Sequence, residues 1–167
     1  MQHDTSENRL NRGRDVIGLV AFLFACLIVS GIGGLVTATS VRGWYTTLSK
    51  PAFNPPDWVF APVWTILYVL MAVAAWRVWR TENSAARLQA LAVFGVQLAL
   101  NLSWSILFFG FREVGLALAD IVVLWSAIAF NAFLFWRIER LAGWLLFPYL
   151  LWVAFAAALN LSIWWLN

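Results

Sequence analysis

With 167 residues, 63% of them hydrophobic and 11% charged, the chain is too apolar for a soluble domain, which is roughly half apolar and a quarter charged. Its length allows one domain. A net charge of only +3, with the basic residues set between apolar runs, excludes a nucleic-acid surface and points to membrane topology instead.

In chain order, residues 1–15 read as a polar N-terminal tail holding His3, the only histidine, and Arg9, Arg12 and Arg14. Five apolar runs follow, at 16–38, 58–79, 88–111, 114–136 and 141–166. Each reaches the length of about 20 residues that a helix needs to cross a bilayer. Residues 16–167 are therefore read as one all-α membrane domain, a bundle of five transmembrane helices. Ser30, Gly31, Gly33 and Gly34 could mimic a signal-peptide cleavage site. The first run continues well past a signal h-region, so the first helix is expected to stay.

The connections after the second, third and fourth runs are short and charged, which forces antiparallel neighbours and an up-down bundle. Residues 40–57 differ: the segment is longer, with Trp44, Tyr45, Lys50, Pro51, Pro55 and Pro56. Proline excludes helix where it stands, and the aromatics suit the headgroup zone or a lid over the bundle. Arg9, Arg12, Arg14, Arg77, Arg80, Arg87, Arg137 and Arg140 fall on one side, against Arg42, Lys50 and Arg112 on the other. That asymmetry predicts a cytoplasmic N-terminus in a cell membrane, with the long first loop and the C-terminus outside.

One cysteine, Cys26, and one histidine far from any acidic cluster leave no expected metal site, no axial haem ligand and no bound cofactor. No internal repeat is present, and five helices do not divide into the paired halves of many transporters.

Polar residues inside apolar helices are the informative ones, because lipid makes them expensive. Gln97, Asn101 and Ser105 recur every four residues as a stripe on the third helix. Asp120 is the acidic residue deep in the fourth, with Asn131 on nearly the same face. Trp152, Ala156 and Asn160 share a face of the fifth, and Trp64 and Tyr68 one of the second. Each can act as interhelical glue. Asp120 can also be read as a proton carrier, though one carboxyl without an intramembrane base argues against a pump. Of the 12 tryptophans, Trp79, Trp136, Trp144, Trp164 and Trp165 fall near helix ends as interface anchors. Trp64, Trp104, Trp125 and Trp152 lie nearer helix middles, where they can pack as core, face lipid or wall a cavity for a flat apolar ligand.

Three stretches go further: WYTTLSKPAFNPPDWVFAPVW from Trp44 to Trp64, QLALNLSWSILFFG from Gln97 to Gly110, and PYLLWVAFAAALN from Pro148 to Asn160. Together with Leu67, Tyr68 and Asp120 they resemble the TspO/translocator protein family, the peripheral benzodiazepine receptor group, from the first helix to the last. The resemblance implies a five-helix bundle with a pocket under the first loop. It also implies binding of tetrapyrroles such as protoporphyrin IX, of isoquinoline carboxamide and benzodiazepine ligands, and in animal members of cholesterol. Carried over by position, the pocket would be lined by Trp44, Tyr45, Trp64, Tyr68, Asn101, Trp104, Trp152 and Ala156. Some members are reported to degrade porphyrin in light, and the implicated tryptophans correspond to Trp44 and Trp152, the only catalytic candidates. A homodimer is also implied. Small-residue pairs on the third helix (Gly95, Ala99) and the first (Ser30, Gly34) allow close helix approach.

One departure matters. The sterol-recognition pattern that animal members carry at the end of the fifth helix needs a Tyr and then a basic residue. Here Leu161 is followed by Trp164, Trp165, Leu166 and Asn167. A loose match at Val41, Tyr45 and Lys50 falls in the loop and is a weak pattern. Cholesterol is thus not an expected partner, and a bacterial-type member is expected. The leading reading is a membrane receptor or carrier for porphyrin-like ligands. The alternatives are a porphyrin-degrading enzyme and a non-catalytic regulator that reports ligand to another protein.

Overall fold

The computed structural model describes residues 3–167, with side chains from residue 13 onward. The side chains of His3, Arg9 and Arg12 lie outside the described residues. The elements are α1 (His3–Val41), α2 (Trp44–Thr47), a 3-10 turn (Asp57–Val59), α3 (Phe60–Trp79), α4 (Ala85–Ser105), a π turn (Ile106–Gly110), α5 (Val114–Ile138), α6 (Arg140–Leu145) and α7 (Phe147–Leu166). No strand occurs among the described residues. Five stretches are long and apolar enough to cross a membrane: Gly13–Val41, Asp57–Trp79, Ala85–Gly110, Val114–Ile138 and Arg140–Leu166. The protein is an all-α, multi-pass membrane bundle.

Its helices close a ring in the order α3, α1, α4, α5, α7, with α6 wedged between α3 and α5. Inside the ring lie small and medium side chains such as Met71, Ala72, Ala75, Leu124 and Val153. Outside it Val20, Phe24, Ile66, Val122, Trp125 and Leu151 face outward, where acyl chains replace water as the solvent. Alanines on α3 let neighbours approach closely, the packing mode available where lipid removes the hydrophobic drive between helices. Gly143 is an extreme case. A Cβ there would fall 2.8 Å from the Cα and 2.9 Å from the backbone nitrogen of Trp136, so only glycine lets α6 fold back on the end of α5.

The arginine-rich end is pinned by polar contacts. Arg80 pairs with Asp15 at 3.0 Å and Arg77 with Glu139 at 2.8 Å, joining the N-terminal part of α1 to the end of α3, and the end of α3 to that of α5. Arg87 is buried and donates to the carbonyls of Trp79 and Thr81 and to the Asn83 side chain at 2.6–3.1 Å. It thereby occupies acceptors that the end of α3 leaves free. The side chain of Glu139 accepts from the backbone N–H groups of Leu141 and Ala142, capping α6.

Three local features depart from the sequence expectation. The run 141–166 is broken at Leu146, because Pro148 at the start of α7 has no N–H to offer the preceding turn. The third span ends in a π turn, where the Phe111 N–H bonds the Ile106 carbonyl at 2.8 Å. The first loop holds the short helix α2, upstream of its prolines rather than among them.

Candidate functional site

A cavity of about 540 Å³ lies between α1, α3 and α4 under the first loop. From α1 come Ser30, Gly33, Gly34, Thr37, Ala38 and Val41, whose spacing puts them on one helix face. Their small side chains leave the space. A Cβ on Gly33 would already sit 3.3 Å from the Ser105 hydroxyl of α4. From α3 come Phe60, Ala61, Trp64, Thr65 and Tyr68, again at turn spacing. Asn101, Trp104 and Ser105 of α4 and Phe109 of the π turn complete the wall. Arg42, Tyr45, Asp57 and Trp58 ring the loop end.

The polar groups of the wall are held by their neighbours. Tyr68 donates its hydroxyl to Asn101 Oδ1 at 2.6 Å, and Asn101 Nδ2 donates to the Tyr149 hydroxyl at 2.9 Å. Trp104 Nε1 donates to Asn160 Oδ1 at 3.0 Å, and Asn160 Nδ2 donates to the Val114 carbonyl at 2.9 Å. The indole of Trp104 stacks on Phe108 at 5.3 Å, and Trp64 leans on Tyr68 at 5.7 Å. These contacts fix ring orientation and leave flat aromatic faces as the wall, with few free donors inside. Such a surface suits a flat, largely apolar guest.

Over this wall the loop is latched. The buried Tyr45 donates its hydroxyl to Asn54 Oδ1 at 2.9 Å, and Lys50 Nζ sits 4.6 Å from the centre of the Tyr45 ring. Burial, and secondarily the carboxylate of Asp57, push the Tyr45 phenol up to about 12, so it keeps its proton and remains a donor. Further along, the Ser49 backbone exchanges two hydrogen bonds with the Asn167 side chain at 3.0 and 3.1 Å.

Of the residues expected from sequence, Tyr45, Trp64, Tyr68, Asn101 and Trp104 come together on the cavity wall. Trp44 does not line it and packs edge-on against Phe108 at 5.8 Å. Trp152 stands behind Phe60, at 6.0 Å from that ring, and lines a separate apolar groove of about 410 Å³ between α3 and α7. Ala156 is buried in the core. Asp120 lies away from the cavity, beside Ser103 of α4. Gln97 is buried against Met71, and Asn131 donates to the Ala90 carbonyl at 2.9 Å, so both join helices. Among the described residues no group of three or more His, Cys, Asp or Glu side chains gathers to hold a metal ion.

Sequence reasoning did not place α1 in the wall, nor Arg42 and Asp57 at its mouth. The signal lies in the spacing of Ser30, Gly33, Gly34 and Thr37; sequence alone offers only Ser30 and Gly34, as a small-residue packing pair, whereas in the structure both face the cavity.

A sequence model of the TspO/MBR family matches residues 21–166. The chain is similar to the tryptophan-rich protein TspO of Chlorobaculum tepidum, 41% identical over 92% of this chain and 98% of that one. It is also similar to the tryptophan-rich sensory protein of Cereibacter sphaeroides, 40% identical over 89% of this chain and 90% of that one. The translocator protein of Sus scrofa is 38% identical over 82% of this chain and 85% of its own length. With the five spans and the loop-capped cavity, these similarities make the chain a member of the TspO/MBR family.

Proposed function

We propose that the protein binds a flat tetrapyrrole of the protoporphyrin IX kind within the bundle, as a membrane receptor or carrier. The observation that carries this reading is the 540 Å³ cavity walled by Tyr45, Trp64, Tyr68, Asn101 and Trp104. Its size falls within the roughly 300–1,000 Å³ of small-molecule sites. Isoquinoline carboxamide and benzodiazepine ligands fit the same chemistry, a flat aromatic body with one or two acceptors. Binding is favoured over turnover, because Trp44 and Trp152, the candidate redox side chains, pack against Phe108 and Phe60 and do not line the cavity. The N-terminus faces the cytoplasm in this reading, since the arginine-rich end gathers Arg14, Arg77, Arg80, Arg87, Arg137 and Arg140. A homodimer is supported by Ala92, Gly95 and Ala99, which lie exposed along one face of α4.

The test is titration of purified protein with protoporphyrin IX in the dark, followed by tryptophan quenching. Saturation at micromolar ligand, weakened by Asn101→Ala and by Trp64→Leu but not by Trp152→Leu, is expected. Linear quenching shared by all variants would reduce the signal to partition into the detergent and sink the reading.

A further inference from the structure

The interior of the cavity is aromatic and uncharged, and its two charged lining residues, Arg42 and Asp57, both stand at the loop end. Arg42 follows directly on α1, in the turn that the Gly43 N–H closes onto the Ser40 carbonyl at 3.2 Å. That turn is anchored in its own right, because the Ser40 hydroxyl donates to the Phe109 carbonyl at 2.6 Å. The guanidinium is exposed and has no carboxylate within 4.0 Å among the described residues. It is the cation on the cavity wall; Lys50 is engaged on the ring of Tyr45, and Arg112 lies in the α4–α5 turn. Asp57 is placed differently, because it opens the turn leading into α3, where free backbone N–H groups favour a negative charge.

An unpaired planar fork at the polar mouth of an apolar cavity matches a ligand with an apolar body and a carboxylate at one edge. Asp57 on the same rim weighs against a compact, doubly charged phosphate, whereas protoporphyrin IX carries its two charges on separate propionate arms, one of which can sit on the Arg42 side. We propose that Arg42 is a specificity-determining residue, holding a carboxylate at the mouth while the ring system lies inward against Trp64, Tyr68 and Trp104. The site then selects flat amphipathic acids over their neutral analogues. This rests on the tetrapyrrole reading above and adds to it which edge of the ligand points outward and which residue reads it.

The experiment compares protoporphyrin IX with its dimethyl ester, the same ring without free acids, on full-length protein in zwitterionic phosphatidylcholine nanodiscs. Dark quenching titrations are run on wild type, Arg42→Gln and Arg112→Gln, the last being a charge-matched change at the same end of the bundle. Partition of each ligand into lipid cancels when the acid-to-ester affinity ratio is compared between variants. Arg42→Gln is expected to weaken the acid about tenfold, the factor one charge-assisted hydrogen bond carries, and to leave the ester within about twofold. Arg112→Gln is expected to change neither. Saturable binding of both ligands with an unchanged ratio in Arg42→Gln overturns the inference and leaves the cavity reading intact. Absence of saturable binding by either ligand to wild type removes the cavity reading, and this inference with it.

Discussion

Tyr68 on α3 gives its hydroxyl proton to the amide oxygen of Asn101 on α4, and the same amide donates onward to Tyr149 on α7. One side chain thus ties three spans together at the end of the cavity furthest from the loop. Replacing Asn101 by Ala leaves two buried hydroxyls without their partner, an expected cost of about 1–3 kcal/mol. Tyr68→Phe removes one interhelical bond and leaves the Asn101–Tyr149 link, an expected cost of about 0.6 kcal/mol. Thermal unfolding in one detergent ranks the two. Equal losses would mean that water or a rotated side chain replaces the network, and that it does not organise the cavity.

Gly143→Ala is expected to destabilise the bundle by about 1–3 kcal/mol, the usual cost of forcing atoms into a packed contact. The clash is with the backbone of Trp136, so a rotamer change cannot relieve it. Gly95→Ala on the exposed face of α4 is the matched comparison, since its Cβ would meet nothing within 4 Å. Unfolding midpoints for the two variants should therefore separate clearly. A Gly143→Ala protein as stable as Gly95→Ala would show that α6 does not need this approach.

The five spans are legible in the sequence because bilayer thickness imposes a length that few other constraints imitate, and Arg80, Arg112 and Arg140 mark where runs meet water. What hides is rotation about each helix axis. In a helix that is apolar all round, periodicity does not say which face turns inward. Trp152 illustrates this: it shares a face of α7 with Ala156 and Asn160, yet Phe60 comes between it and the cavity. Conversely, Ser30, Gly33 and Thr37 look like packing residues, and only the placement of α3 and α4 makes them a wall. The break at Leu146 was readable from Pro148, whereas the π turn after Ser105 depends on how α4 meets α1 and α5 and has no proline to announce it.

Tyr45→Phe is expected to loosen the loop without emptying the cavity. The ring keeps its packing against Phe108 and Phe109 and only the bond to Asn54 is lost. One neutral hydrogen bond of about 1 kcal/mol corresponds to about a fivefold change in the open population. Release of protoporphyrin IX, followed by stopped-flow dilution into empty nanodiscs, should quicken by about that factor. Uptake should quicken similarly, leaving affinity nearly unchanged. If both rates match wild type, the loop is not the barrier, and entry along the α1–α3 seam becomes the route to examine.

Glu139 links acid stability to a single contact at the other end of the bundle. Its bond to the Arg77 guanidinium, helped by the backbone N–H groups of Ala142 and Leu141, holds the carboxyl below the usual carboxylate range against the opposing effect of burial. A carboxyl whose pKa is depressed by folding stabilises the protein fully above its unfolded value, about 4.3 for Glu. That contribution is lost as pH falls through the lower folded value. Wild type and Glu139→Gln should therefore differ most in unfolding midpoint near neutral pH and converge as the pH falls through the depressed folded value. The side chain is one-quarter exposed, so solvent screens the pair, and added salt should shrink the neutral-pH difference. A difference independent of both pH and salt would assign the effect of Glu139 to its capping of α6 alone, since the glutamine oxygen can serve only part of that role.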